Sequence, residues 1–232
     1  MSVTCDSATA PNTIGSQGGA GAWNFNAAYT VTGWLKCTDP SIRRGVIQID
    51  NYATGAPNMD AFQTHYSNAN TLYIVNSIAD AYYRQPPVGS PGATISAGTW
   101  YFWVIRRTAA NSLELRLGTS TYATETTDMT GRAASDEFTI GLGEGSAGTW
   151  YGSLAQIRIW STNLTDEELT TEKNSPTAVK TANLWAEYRM TDLASIRTDS
   201  SVNGRTLNAA VGTWTTGADD PPNGAAGGLM WL

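Results

Sequence analysis

The sequence predicts an all-β chain, an antiparallel sandwich carrying one short helix. Three observations lead there. Charged residues are only 15 % of the 232, well under the usual quarter. The polar surface therefore comes from Thr, Ser, Asn and Gly, which suit strands and tight turns rather than exposed helices. Apolar residues alternate with polar ones in short runs, and Gly, Pro and Asn stand between the runs. Hydrophobic residues are 41 % of the chain and include nine Trp, enough for one sizeable core in one domain.

Residues 1–21 are small and polar, with Gly15, Gly18, Gly19 and Gly21, and show no periodicity. They are expected to be an N-terminal arm. The sandwich is expected over 22–215 and a C-terminal tail over 216–232. Tyr29, Val31, Gly33, Leu35 and Cys37 alternate with Thr30, Thr32, Trp34 and Lys36, a half-buried strand. Val46–Asp50 and Leu72–Val75 are further strands, with a loop-rich stretch between them. Residues 80–98 contain Pro86, Pro87 and Pro91 and are expected to be a surface excursion. Trp100–Ile105 is apolar at every position, so both faces of this strand must be covered. Trp100, Phe102 and Val104 point one way, and Tyr101, Trp103 and Ile105 the other. Leu113, Leu115 and Leu117 form its hairpin partner. Phe138, Ile140 and Leu142 mark another strand, and 151–160 the next. Thr165 and Glu168 are spaced as a capping box, with acids where the helix dipole favours them. That helix ends before Asn174-Ser175-Pro176. Asn183–Met190 resumes strand character, and the tail closes on Leu229-Met230-Trp231-Leu232. Ser96-Ala97-Gly98-Thr99-Trp100-Tyr101 recurs at 146–151, two loop-to-strand entries and no solenoid repeat.

The net charge is −6 and no Lys/Arg cluster is present, which argues against nucleic acid and against an anionic membrane surface as partners. Met1–Asp6 has neither a basic nor an apolar leader region. Cys5 and Cys37 either form one bridge or stay as two free thiols.

The order of these pieces resembles the laminin-G-like, concanavalin A-like jelly roll. The resemblance rests on Tyr29–Lys36, on Gly98–Val104, and on Gly152–Trp160 followed by Leu164–Leu169. It extends to Leu184–Tyr188 with Asp199-Ser200-Ser201-Val202-Asn203-Gly204. It covers roughly 22–215. It implies two antiparallel sheets with a concave face or loop rim free for binding, and leaves the ligand open because this fold hosts many functions.

Glycosidases on such a fold need two carboxylates facing one groove, and the Glu-x-Asp-x-x-Glu spacing is absent. Asp136-Glu137 and Asp166-Glu167-Glu168 are the acidic clusters, and helix capping explains the second. The single histidine, His65, would have to serve any lyase or Ser-His-Asp chemistry alone. No catalytic residue is assigned. Asp199 and Asn203 sit on a tight loop that resembles calcium-holding loops of relatives; an Asx turn without an ion is the alternative. Tyr82, Tyr83, Tyr52 and Trp150 are the candidate platforms for stacking on sugar rings. The expected function is a non-enzymatic lectin-like surface module, first a bacteriophage virion component touching other subunits or host glycans. A homo-oligomer on the virion surface follows from that. A secreted carbohydrate-binding module is the alternative, and a glycosidase or polysaccharide lyase the remote one.

Overall fold

The computed structural model describes residues 2–5, 15–23, 27–42, 44–51, 58–64, 70–78, 81–85, 93–109, 111–118, 120–126, 135–141, 150–208, 213–217 and 219–222. The elements are β1 (Val3–Cys5), β2 (Gly15–Trp23), β3 (Tyr29–Cys37), β4 (Arg44–Asn51), β5 (Asn58–Thr64), β6 (Leu72–Ile78), β7 (Ala81–Gln85), β8 (Trp100–Ala109), β9 (Ser112–Leu117), β10 (Ser120–Glu125), β11 (Ser135–Ile140), β12 (Gly152–Trp160), α1 (Asp166–Lys173), β13 (Leu184–Tyr188) and β14 (Trp214–Thr216). An eight-stranded sheet runs β10-β9-β8-β3-β12-β1-β14, with β13 also on β12; a six-stranded sheet runs β2-β11-β4-β5-β6-β7. Every pairing is antiparallel. The expected jelly-roll sandwich with one helix is what forms.

The expected arm 1–21 contains strands of both sheets. β1 lies between β12 and β14 in the larger sheet, and β2 pairs with β11 in the smaller one. The described sandwich accordingly begins at Val3 and runs to Thr216, rather than over 22–215. β2 reads Gly-Ser-Gln-Gly-Gly-Ala-Gly-Ala-Trp; with so few side chains its pairing is made by backbone hydrogen bonds and leaves no alternation to read. The proline-rich excursion likewise contains a strand, β7, and the loop-rich stretch contains β5.

β8 behaves as its sequence requires. Trp103 and Ile105 enter the main core between the sheets, with Val31, Leu35, Leu154, Ile157 and Ile159. Phe102 and Val104 enter a second core on the outer face, with Trp34, Trp160, Leu164, Leu169 and Leu184. Residues 161–183, including α1, form the layer that closes this outer face. Thr165 Oγ1 accepts from the Glu168 N–H while Glu168 accepts from the Thr165 N–H, so both halves of the capping box are made.

Charges pin this layer down. Arg158 on β12 bonds Glu172 Oε2 and the Glu172 carbonyl, each at 3.0 Å, and the Ser175 carbonyl at 2.7 Å. Glu187 stands 3.3 Å from Arg158 Nε, and these three side chains are at most 3 % exposed. Nearby, Arg106 and Arg116 share Glu114 and Asp166.

Cys5 and Cys37 are free thiols, both buried. Each pairs with Gly152, from opposite sides of β12. Two strand spacings put their Cα atoms about 10 Å apart, beyond disulfide reach. Burial pushes the Cys37 thiol up to about 12. Gly152 has φ +137°, and a Cβ there would lie 2.2 Å from the Lys36 carbonyl oxygen, so only glycine fits.

Candidate functional site

The structure separates the sequence candidates. Trp150 belongs to the main core and is 0 % exposed. A ring enclosed on both sides offers no face to a sugar, so Trp150 is a packing residue and not a platform. Tyr82 and Tyr83 occupy adjacent positions on β7, the edge strand of the smaller sheet, opposite Ser77 and Asn76. Tyr52 and His65 lie outside the described residues, as do Leu229–Leu232.

Asp199 and Asn203 are brought together on the loop after β13, but as a clasp. Asp199 Oδ1 accepts from the backbone N–H groups of Glu187 and Ser201, and Oδ2 from Ser201 Oγ and the Arg205 N–H. Four donors use the positions a calcium ion would need on this carboxylate. Asn203 Nδ2 donates to the carbonyls of Leu184 and Trp185. No group of three His, Cys, Asp or Glu suited to a metal occurs among the described residues. The donor set fits the Asx-turn reading and does not fit a calcium site.

The clasp builds a different site at its outer surface. Trp185, on β13, is half-buried and meets Phe138 of the opposite sheet edge-on at 6.2 Å. Phe138 also stacks on Tyr188, whose hydroxyl donates to the Arg205 carbonyl. Burial pushes the Tyr188 hydroxyl up, and the Asp199 charge adds to this. The backbone of Arg205 is thus held from two sides. Its guanidinium lies over the Trp185 ring, 4.4 Å from the centroid, well inside cation–π range. Nη1 donates to the Trp185 carbonyl at 2.9 Å. Val202, at the tip of the same loop, is 103 % exposed. A stacked cation, the exposed amide of Asn203 and an apolar tip therefore share one loop rim. Sequence reasoning found the loop but missed Trp185 and Arg205, twenty residues apart on elements that only the fold joins.

Several other described cations hold carboxylates: Lys36 with Asp219, Arg106 and Arg116 with Glu114 and Asp166, Arg158 with Glu172 and Glu187, Lys180 with Glu168, Arg189 with Glu187. Arg44 and Arg107 instead lie over the Tyr151 and Tyr29 rings. A cleft of about 310 Å³ lies beside α1, lined by Glu167, Glu168, Thr171, Glu172, Val179 and Lys180. Two of its three acids are engaged: Glu172 Oε1 accepts from the Val179 and Lys180 N–H groups, and Glu168 pairs with Lys180. Burial pushes the Glu172 carboxyl up, against the pull of these donors and of Arg158. These carboxylates serve the fold.

A laminin-G-type family model, described as concanavalin A-like lectin/glucanases superfamily, matches residues 6–170. The chain belongs to this superfamily. Among solved structures, it is similar to a putative carbohydrate binding protein from Bacteroides ovatus, at 14 % identity and TM-score 0.63, covering 94 % of this chain and 61 % of that one. A heptameric SAP-like pentraxin from Limulus polyphemus aligns at 14 % identity and TM-score 0.51, over 73 % of this chain and 80 % of the other. Domains LG4-5 of the mouse laminin alpha1 chain align at 9 % identity and TM-score 0.50, over 71 % and 43 %. At such identities the likeness is one of fold. No curated protein sequence matches the chain.

Proposed function

We propose that this superfamily member is a non-catalytic glycan-binding module whose site is the loop rim formed by residues 199–205 over Trp185. The observation that carries the reading is Arg205, held over an aromatic ring by a rigid clasp, with the Asn203 amide and the Val202 side chain beside it. Sugar sites combine apolar surface with a few fixed polar groups, and fixing those groups beforehand lowers the ordering cost of binding. Membership of a lectin-containing superfamily supports the same class of ligand. Glu114, Asp166, Glu168, Glu172 and Glu187 are taken up in structural ion pairs, which favours binding over glycoside hydrolysis.

The setting we propose is a virion surface, with neighbouring subunits and surface glycans as partners; a secreted module is the alternative. One small rim supplies modest affinity, so presentation of several copies is the physical route to firm attachment. Light scattering on the full chain tests the setting. A defined trimer or larger assembly supports it, and a monomer at all concentrations rules it out in favour of the secreted module. Binding itself is tested by a glycan array with the full chain, and retention of no glycan overturns the reading.

A further inference from the structure

Arg205 and Arg197 stand apart from the cations that hold carboxylates, and unlike the buried Arg44 and Arg107 they are only half-buried. Each hydrogen-bonds a backbone carbonyl, of Trp185 and of Leu207, and neither has a carboxylate partner among the described residues. An arginine without a carboxylate partner among the described residues is unexpected in a chain of net charge −6, where acids outnumber bases. An arginine carries five N–H donors. One of those on Arg205 is spent on Trp185, and Nε and Nη2 bond no described group. That edge of the guanidinium is a planar pair of parallel donors, matched to the two oxygens of a carboxylate. Stacking on Trp185 fixes the plane of the fork, and the hydrogen bond at Nη1 fixes its rotation.

We propose that the rim recognises an acidic glycan, with the carboxylate of a hexuronate-type sugar seated on the Nε/Nη2 edge of Arg205. This rests on the glycan-binding reading above and names its ligand class. Charge density favours a carboxylate sugar over a heavily sulfated or polyphosphate chain. A heavily sulfated or polyphosphate chain needs a row of cations, and the loop offers Arg205 with only Arg197 on the same excursion. Val202 supplies apolar surface at the loop tip, and the exposed Asn203 amide oxygen, whose Nδ2 is spent on two carbonyls, is placed to accept from a sugar hydroxyl.

The test is titration calorimetry of the full chain with an oligogalacturonate, with the same oligomer methyl-esterified, and with acetate. The oligogalacturonate is expected to bind roughly ten- to hundredfold more tightly than the ester, the range for one charge-assisted bidentate contact, and to weaken as salt rises. Arg205→Gln should abolish that preference, and Arg205→Lys should restore only part, because an ammonium is a point charge and not a fork. Val202→Glu touches nothing in the fold and should weaken the acidic ligand about tenfold, which keeps the test open if Arg205→Gln loses stability. Equal binding of acid and ester overturns the acidic-glycan inference and leaves glycan binding standing. An acid preference unchanged in both Arg205→Gln and Val202→Glu overturns it as well, as does acetate binding as tightly as the oligomer. Failure of these oligomers together with a silent glycan array overturns the glycan reading itself.

Discussion

Glu172→Ala should be among the most damaging single changes in this chain, although the residue is not part of the proposed site. Its carboxylate accepts from Arg158 at 3.0 Å and from the Val179 and Lys180 N–H groups at 2.9 and 2.6 Å. Arg158 is itself 1 % exposed. Truncation leaves that guanidinium buried with Glu187 as its remaining carboxylate and strips two backbone donors of their acceptor. Removing one partner of a buried pair costs about 3–5 kcal/mol. At about 2–4 °C per kcal/mol for a chain of this size, the thermal midpoint should fall by about 6–20 °C. Glu172→Gln keeps an amide oxygen for the two N–H groups and loses only the charge, so it should fall between wild type and Glu172→Ala. Scanning calorimetry with circular dichroism measures both. A Glu172→Ala midpoint within about 2 °C of wild type would refute the claim that this cluster fastens the helix layer to the larger sheet.

Other consequences follow from the same geometry. Gly152→Ala places a Cβ 2.2 Å from the Lys36 oxygen at φ +137° and should destabilise by more than about 3 kcal/mol, read as loss of folded protein or a large drop in midpoint. Cys5 and Cys37 should be inert to a thiol reagent at pH 8 and should both react in guanidinium. With the Cys37 thiol pushed up to about 12 by burial, its thiolate is absent at pH 8; fast native labelling would contradict this. Asp199→Ala removes the acceptor for four donors and should cost about 2–4 kcal/mol, whereas a chelator should leave the wild-type midpoint unchanged. A chelator-induced drop would return calcium to this loop.

The sequence was most legible where side chains make the structure. The unbroken apolar run at 100–105 announced a strand covered on both faces, and the second core under α1 is what covers it. Thr165 and Glu168 announced the helix cap from their spacing alone. The reading failed where the backbone does the pairing. β2 is mostly Gly and Ala and pairs without a side-chain pattern, and β7 stands beside a proline cluster that dominates its neighbourhood. Trp150 shows the limit for single aromatics, because a Trp after a Gly-Thr turn looks the same whether the turn delivers it to solvent or to the core. Arg205 shows the limit for sites. Its meaning lies in a ring twenty residues earlier and in the lack of a carboxylate partner among the described residues, and neither is visible in a linear pattern.

The most direct test of the central claim is a broad glycan array probed side by side with the full chain and its Arg205→Gln variant, after matching thermal midpoints confirm that both are folded. The account predicts that the wild type retains a subset of glycans, and that the variant loses the acidic members of that subset by tenfold or more. Retention of the same glycans at the same strength by both proteins would place binding elsewhere on the sandwich, and retention of none by the wild type would contradict a glycan-binding role.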